Sequence, residues 1–510
     1  TPTSTEGAAT IIMKQPPSAT ASSGRPNPTY PTLPPAPQVR FRIRASAAIA
    51  TGRAAGTLLR RLRLGGGTSL PGLVARYVDP RVARHLGAQM RHGNIVVTGT
   101  NGKTTTSALV TGVLRQAGLR VWRNREGSNL ARGIATSLMA HAAISGRLRE
   151  QGDAAGVFEV DEAAFPQVVA ELQPRTILVT NLFRDQLDRY GEVDTVAERW
   201  RDALARLPAT TTLLLNSDDP AVAALADARP AGSPVYYFGI EDAPTSDDDA
   251  QRVHVVDTRT CPRCRQLLTF NKRFYSHIGH WRCPACGFAR PEPAVRARQV
   301  SFIGLEGSHF ILETPLGQAE TTLHLPGLYN IYNALAAATA GVVTGAQLPA
   351  IHDALERFTP AFGRAEAIQM GDRTARLLLA KNPTGLNEVL RALGQDAAKH
   401  HLLFILNDRA ADGEDVSWIW DADFEQVTGA IASLTVSGMR AYDLALRFKY
   451  AGRPADTVEP DIGAALTAAL AKTPAGETLY IVPTYTAMLA VRGEISRRGF
   501  APRYWEQKDA

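Results

Sequence analysis

Short, wholly apolar runs alternate with amphipathic stretches over most of this chain. Residues 94–97, 156–160, 176–180 and 212–216 have the β-branched and aliphatic make-up of strands buried on both faces. Residues 104–117, after the first of them, carry apolar positions at helical spacing. Alternation of this kind from 94 to 345 predicts a doubly wound α/β sheet. Further strand-like runs at 376–379, 402–406, 433–437 and 478–482 predict a second, smaller α/β domain over 365–510. The longest uncharged stretch, 323–352, is rich in Ala and Gly and interrupted by Pro326, Asn330, Asn333 and Gln347. It reads as a buried helix with its loops, not as a membrane span.

The N-terminal part departs from this pattern. Residues 1–38 hold nine prolines and almost no aliphatic clusters, so they cannot bury enough surface to offset chain entropy and are expected to be disordered. They also lack the apolar core of a secretory signal. From 39 to 64, arginines interleave with Ile43, Ile49, Leu58, Leu59, Leu62 and Leu64, the pattern of a basic amphipathic segment. Its apolar side has two possible uses, an anionic membrane surface or the adjoining domain, and periodicity does not choose between them.

Composition and charge narrow the class. A chain of 510 residues at about 150 per domain implies about three domains. With 45% hydrophobic and 21% charged residues it is a globular chain, neither fibrous nor disordered as a whole. Residues 1–78 contain ten basic side chains and one acid, Glu6, a charge of +9 against +7 for the whole chain, which leaves the remainder at −2. The basic character belongs to the arm, which weakens any reading of the whole protein as a nucleic-acid binder.

Three motifs carry chemistry. Val97-Thr98-Gly99-Thr100-Asn101-Gly102-Lys103-Thr104-Thr105-Thr106 follows a strand and opens a helix. Glycines let backbone N–H groups approach phosphate, and the helix N-terminus favours negative charge. Lys103 is placed to reach the outer phosphates and the Thr104 hydroxyl to ligate Mg²⁺. Cys261-Pro262-Arg263-Cys264 and Cys283-Pro284-Ala285-Cys286, separated by 18 residues, have the spacing of a four-cysteine zinc ribbon inserted at 255–295. Four thiolates leave no open coordination position, so the expected Zn²⁺ is structural; His277 and His280 are alternative ligands but sit among aromatics that suit ribbon packing. Since the chain has four cysteines in all, none is left as a nucleophile, and any ammonia released from glutamine through a cysteine thioester must come from another chain. Finally, residues 406–421 follow a strand-like run and concentrate Asp408, Asp412, Glu414, Asp415 and Asp421 with Trp418 and Trp420, a density that suits a functional loop.

The phosphate loop resembles that of the Mur ligase superfamily. Glu159 is similar to its Mg²⁺-ligating glutamate, residues 181–190 to its Asn-to-Asp segment, and residues 215–220 to its Asn-Ala-Asp-Asp-Pro strand end. The segment 327–337 resembles the adenine-contacting helix and 363–366 the domain junction, which implies Asn330 at the adenine and Arg364 at a phosphate or ribose. The nucleotide set implied is Gly99, Asn101, Gly102, Lys103, Thr104, Thr105, Asn330 and Arg364, with Mg²⁺ on Thr104 and Glu159. The superfamily also implies the fold: a Mur ligase-type P-loop ATPase domain over 65–364, here carrying the inserted zinc ribbon, then the smaller α/β domain. Two departures stand out. Gln186 replaces a metal-contacting His, and no lysine lies between Lys103 and Lys272 to be carbamylated.

Within the superfamily, residues 379–385, the acidic loop, Phe424-Glu425 and residues 483–486 resemble MurT-type chains, over roughly 45–505. That resemblance implies ATP-dependent amidation of the D-glutamate α-carboxylate in the lipid II stem, with ammonia from a class I, GatD-type glutaminase subunit. It further implies that one Asp of the loop completes the partner's Cys–His pair: Asp415 first, with Asp412 and Asp408 as fallbacks. Lys381 and Asn382 fall at the interdomain cleft by analogy and hold substrate there or remain surface groups. Lipid II would give the basic arm a purpose at the inner membrane face. The alternatives are an amino-acid ligase like folylpolyglutamate synthetase, against which the missing lysine and the ribbon argue, and an ATP-binding scaffold that only activates a glutaminase.

Overall fold

The computed structural model describes residues 43–61, 69–124, 128–149, 153–184, 193–244, 258–359, 364–395 and 398–502. The Pro-rich tail expected at 1–38 and Gln186 lie outside these residues.

Nine strands form the first sheet, in the spatial order Gly317–Leu323, Gly307–Thr314, Val295–Ile303, Val235–Ile240, Thr212–Asn216, Thr176–Val179, Asn94–Thr98, Ala154–Glu159 and Arg120–Arg123. From Arg120–Arg123 across to Val295–Ile303 neighbours run parallel, and the last two strands are antiparallel additions. Period-2 alternation explains why the central strands are apolar throughout. Ile95 and Val97 enter a core with Leu109, Val113 and Ala337, while Val96 enters a second core with Phe158, Phe165 and Trp200. Helix Lys103–Gln116 covers the first face and packs on Leu328–Thr344, the Ala-rich helix read from the sequence.

The second sheet has the order Arg364–Met370, Arg373–Leu378, Thr478–Pro483, His400–Ile405, Ile431–Ser437 and Thr457–Val458. One face buries Leu377, Leu403, Ile405 and Ile481 in a cluster with the helical Leu466. The other presents Leu402, Phe404 and Leu434 to an apolar cluster that also contains Phe448 and, from the first sheet's core, Val97 and Leu109. The two sheets therefore share one continuous core, which fixes the carboxyl ends of their strands with respect to each other.

The cysteine segment is a hairpin of Thr269–Tyr275 and Ile278–Arg282 with its own small core of Trp281, Phe288 and the buried cysteines. Helix Ile43–Arg61 buries Ala45, Ala48 and Ile49 and packs on Leu70–Val78, and its Arg53 donates to the carbonyl of Met139 at 2.8 Å. Of its two possible uses, the small-residue face of this helix meets protein, while Ile43, Arg44, Leu58 and Arg61 are exposed. No described helix is long and apolar enough to cross a membrane.

Candidate functional site

The phosphate loop leaves the carboxyl end of the central strand Asn94–Thr98, between that strand and Thr176–Val179, where an open parallel sheet splays to admit ligands. Its two glycines are required by position. Gly99 and Gly102 have φ of 136° and 85°, and a Cβ would come within 2.1 Å of Thr180 Oγ1 at the first and 2.2 Å of Asn333 Oδ1 at the second. Segment 180–183 braces the loop. Asn101 N donates to Asn181 Oδ1 at 2.8 Å, Thr180 Oγ1 to Asn101 O at 2.8 Å, and Phe183 N to Thr100 Oγ1 at 3.0 Å.

Lys103 is buried, and its ammonium donates to Gly99 O at 2.6 Å, Thr100 O at 3.1 Å and Glu162 Oε1 at 2.9 Å. Thr104 is buried beside it and Thr105 half-buried. Glu159 lies opposite Val97 on the adjoining strand, half-buried, with its backbone clasped by Asn124. Asn330 is buried and donates to Pro326 O at 2.7 Å; its Oδ1 accepts from Asn333, whose own Oδ1 takes the Thr106 hydroxyl at 3.0 Å. The first turn of helix Leu328–Thr344, which carries Asn330, is thereby tied to the first turn of the loop's helix. Arg364 opens the first strand of the second sheet.

Asn382 joins the two halves. Its Nδ2 donates to Asn101 Oδ1 at 2.9 Å, and its Oδ1 accepts from Gly385 N at 2.8 Å as the helix Pro383–Gln395 begins. The residue expected near substrate is thus buried and docks the second domain on the phosphate loop, with half-buried Lys381 next to it.

The four cysteine sulfurs lie within 4.8 Å of one another, with Cys261–Cys286 at 3.6 Å and Cys264–Cys283 at 3.4 Å. Four thiolates about 2.3 Å from a tetrahedral ion would be about 3.8 Å apart, so the cluster fits. Among the four thiols, the Cys286 N–H holds Cys283 down to about 6, while burial pushes Cys261 up and the bond to Cys283 raises Cys264. Neither histidine joins it: His280 contacts Ile240 O at 2.8 Å, and His277 lies 3.4 Å from Asp219. Asp219 also accepts from Leu182 N at 2.8 Å, and Asp218 from Tyr332 at 2.7 Å and from Arg290. The two aspartates therefore tie the hairpin to the segments bracing the loop.

In the acidic loop the three candidate aspartates have different surroundings. Asp412 is only 1% exposed and accepts both the N–H and the hydroxyl of Thr486, so it is enclosed within its own domain. Asp408 accepts from Arg440 at 3.1 Å. Asp415 is exposed and accepts from Ser417 N at 2.8 Å, and bonding to Ser417 holds its carboxyl below the ordinary aspartate range. Helix Ala441–Tyr450 packs on the turn Ser417–Asp421 that follows Asp415, and its Tyr442, Leu446 and Tyr450 form an i, i+4, i+8 stripe, 70%, 46% and 72% exposed, continued by Met439 and Trp420. Trp420 meets Tyr450 with ring centroids 5.7 Å apart. Buried Arg447 fixes this turn by donating to Ile419 O, Ala422 O and both oxygens of Glu425.

The MurT ligase C-terminal family model matches residues 379–488, and the Mur ligase middle domain model matches 97–341. A lipid II isoglutaminyl synthase (glutamine-hydrolyzing) subunit MurT of Streptococcus pneumoniae is 34% identical over 90% of this chain and 98% of its own. The chain belongs to the MurT family. A second MurT, from Staphylococcus aureus, is 34% identical over 76% of this chain and 83% of its own. Among solved structures, a pseudomurein peptide ligase type C from Methanothermus fervidus superposes with a TM-score of 0.60 at 23% identity, covering 79% of this chain and 78% of its own, and so shares the fold. As a MurT, the chain is an ATP-dependent ligase of the Mur family.

For a MurT chain, sequence reasoning missed several residues. Glu162, the partner of Lys103, stands three places beyond Glu159 in the same acidic run, but spacing alone gives its carboxylate no destination. Asn333 has a signal in hindsight, since with Asn330 it makes a polar i, i+3 pair on an otherwise Ala-rich helix. Arg184, which pairs with Asp421 at 2.8 Å across the domains, has none.

Proposed function

We propose that this chain is the ligase subunit of a lipid II isoglutaminyl synthase, converting the D-glutamate α-carboxylate of the lipid II stem to the amide. One observation carries the reading: a complete phosphate loop and an exposed, hydrogen-bonded Asp415 occur in a chain whose only four cysteines form a single cluster. The chain can activate a carboxylate with ATP, yet it has no thiol to hydrolyse glutamine. It therefore needs a second subunit, a class I glutaminase.

A carboxylate oxygen attacks the γ-phosphorus of ATP, the bond to the β-phosphate oxygen breaks, and an acyl phosphate forms. Ammonia then adds to the carbonyl carbon and phosphate leaves, taking the electron pair that hydroxide could not carry off at neutral pH. Mg²⁺ held by Thr104 and Glu159 would neutralise charge on the transferred group. Lys103 and the N–H groups that follow Gly102 orient the phosphates, and segment 180–183 keeps the loop from collapsing. Asn330 and Arg364 would hold the adenosine. Asp415 would accept the second N–H of the partner's catalytic histidine and fix its tautomer. The aromatic stripe beside it suits a protein partner, since such anchors concentrate binding energy. The basic arm ahead of Arg61 would favour the anionic membrane face where lipid II resides.

The reading is tested by phosphate release from ATP with ammonium chloride. It should depend on lipid II and not respond to free amino acids; amino-acid-dependent release would point to an amino-acid ligase instead.

Two further results are expected. Tyr442→Ser with Tyr450→Ser weakens binding of the glutaminase about a hundredfold by calorimetry and leaves ammonium-driven synthesis unchanged. The cysteine cluster would hold one Zn²⁺. Cys283→Ser removes it, lowers the melting temperature, and loosens ATP binding, because the hairpin reaches the loop through Asp219 and Leu182. Metal analysis of the purified variant checks the first point and calorimetry the others.

A further inference from the structure

Lys103 is the cation expected to meet the outer phosphates of ATP, but its surroundings already use it fully. An ammonium has three N–H bonds, and Lys103 directs them to Gly99 O, Thr100 O and Glu162 Oε1. A phosphate oxygen can take one only by replacing an acceptor. The two carbonyls belong to the loop and move with the lysine. Glu162 belongs to a different segment, is 5% exposed, and is fixed from behind where the Trp200 indole donates to its carbonyl at 3.0 Å. It is also the negatively charged member of the three, so it competes with phosphate for the same cation and repels it.

We propose that Glu162 is a positioning residue that holds the phosphate-loop lysine back, so that nucleotide engages it strongly only when a divalent cation accompanies the phosphates. The inference rests on the nucleotide-site reading of Lys103. In the absence of a cation, a triphosphate must draw the ammonium from a buried carboxylate while bringing further negative charge beside it. With the cation present, the charge brought in is largely neutralised and the exchange becomes favourable. Glu162 would then make metal-free ATP a poor ligand, which protects the site from unproductive occupancy.

The test is ATP binding by calorimetry to the full chain, in chelator and in Mg²⁺. Glu162→Gln is expected to bind metal-free ATP about tenfold more tightly than the parent and to change much less in Mg²⁺. Glu162→Asp keeps the charge but withdraws the carboxylate by one methylene, and should give a smaller gain of about threefold. If Glu162→Gln does not fold, the aspartate variant decides alone. A merely structural role would weaken binding in both buffers, the opposite direction. Unchanged or weaker metal-free binding by the folded variants overturns the proposal, provided Lys103→Ala still abolishes ATP binding. If Lys103→Ala binds ATP as the parent does, the nucleotide-site reading fails with it.

Discussion

Lys103→Ala is expected to lower lipid II amidation by about three orders of magnitude, whether ammonia or glutamine supplies the nitrogen. The lysine is the only side-chain cation that the described residues place on the phosphate loop, and the transferred group carries its charge where that ammonium would lie. The substitution also deprives the buried Glu162 of its ammonium, so the melting temperature should fall as well. Binding of the glutaminase, measured in parallel, should persist, because the aromatic stripe and Asp415 belong to the other domain. Near-parental amidation by a folded Lys103→Ala protein would remove the loop from the chemistry.

Asp415→Asn should separate the two half-reactions. The asparagine keeps an oxygen for Ser417 N, so the loop geometry survives while the charge is lost. Glutamine hydrolysis by the complex is expected to fall by about four orders of magnitude, as when the orienting aspartate of a triad is neutralised. Amidation driven by ammonium chloride should be unchanged. Bonding to Ser417 lowers the Asp415 pKa, so the carboxylate is ionised wherever the partner's histidine titrates, and its contribution is lost only as pH falls through that lowered pKa. Loss of glutaminase activity on mild acidification should therefore follow the partner's histidine, and ammonium-driven turnover compared at constant free ammonia should not show it. Equal loss of both activities in Asp415→Asn would place that residue in the ligase site instead.

The parallel strands of the first sheet could be read from the sequence because burial on both faces leaves continuous aliphatic runs such as Thr212–Asn216. Arg120–Arg123 was hidden because it is a short edge strand bounded by arginines. The antiparallel strands Gly307–Thr314 and Gly317–Leu323 interleave polar residues with apolar ones, and nothing local indicates that they extend a parallel sheet. In the site, the loop glycines and the cysteine spacing are local signals and were legible. Contacts between segments distant in the chain were not: Lys103 with Glu162, Asn101 with Asn382, Arg184 with Asp421. Asn382 illustrates the difficulty best. By analogy it fell at the interdomain cleft, as a substrate contact or a surface group, and the helix start and the loop that its amide serves at once had no local signal. The distinction among Asp408, Asp412 and Asp415 likewise depends on tertiary partners, Arg440 and Thr486, far along the chain.

The most direct test of the whole account follows the nitrogen. The chain and its glutaminase are incubated with lipid II, ATP, Mg²⁺ and glutamine labelled at the amide nitrogen, and the stem peptide is analysed by mass spectrometry. The account predicts label in the amide formed from the α-carboxyl group of D-glutamate, produced only with both chains and ATP present. A stem lengthened by an amino acid, or an unlabelled product from the chain acting on lipid II and ATP alone, would contradict it.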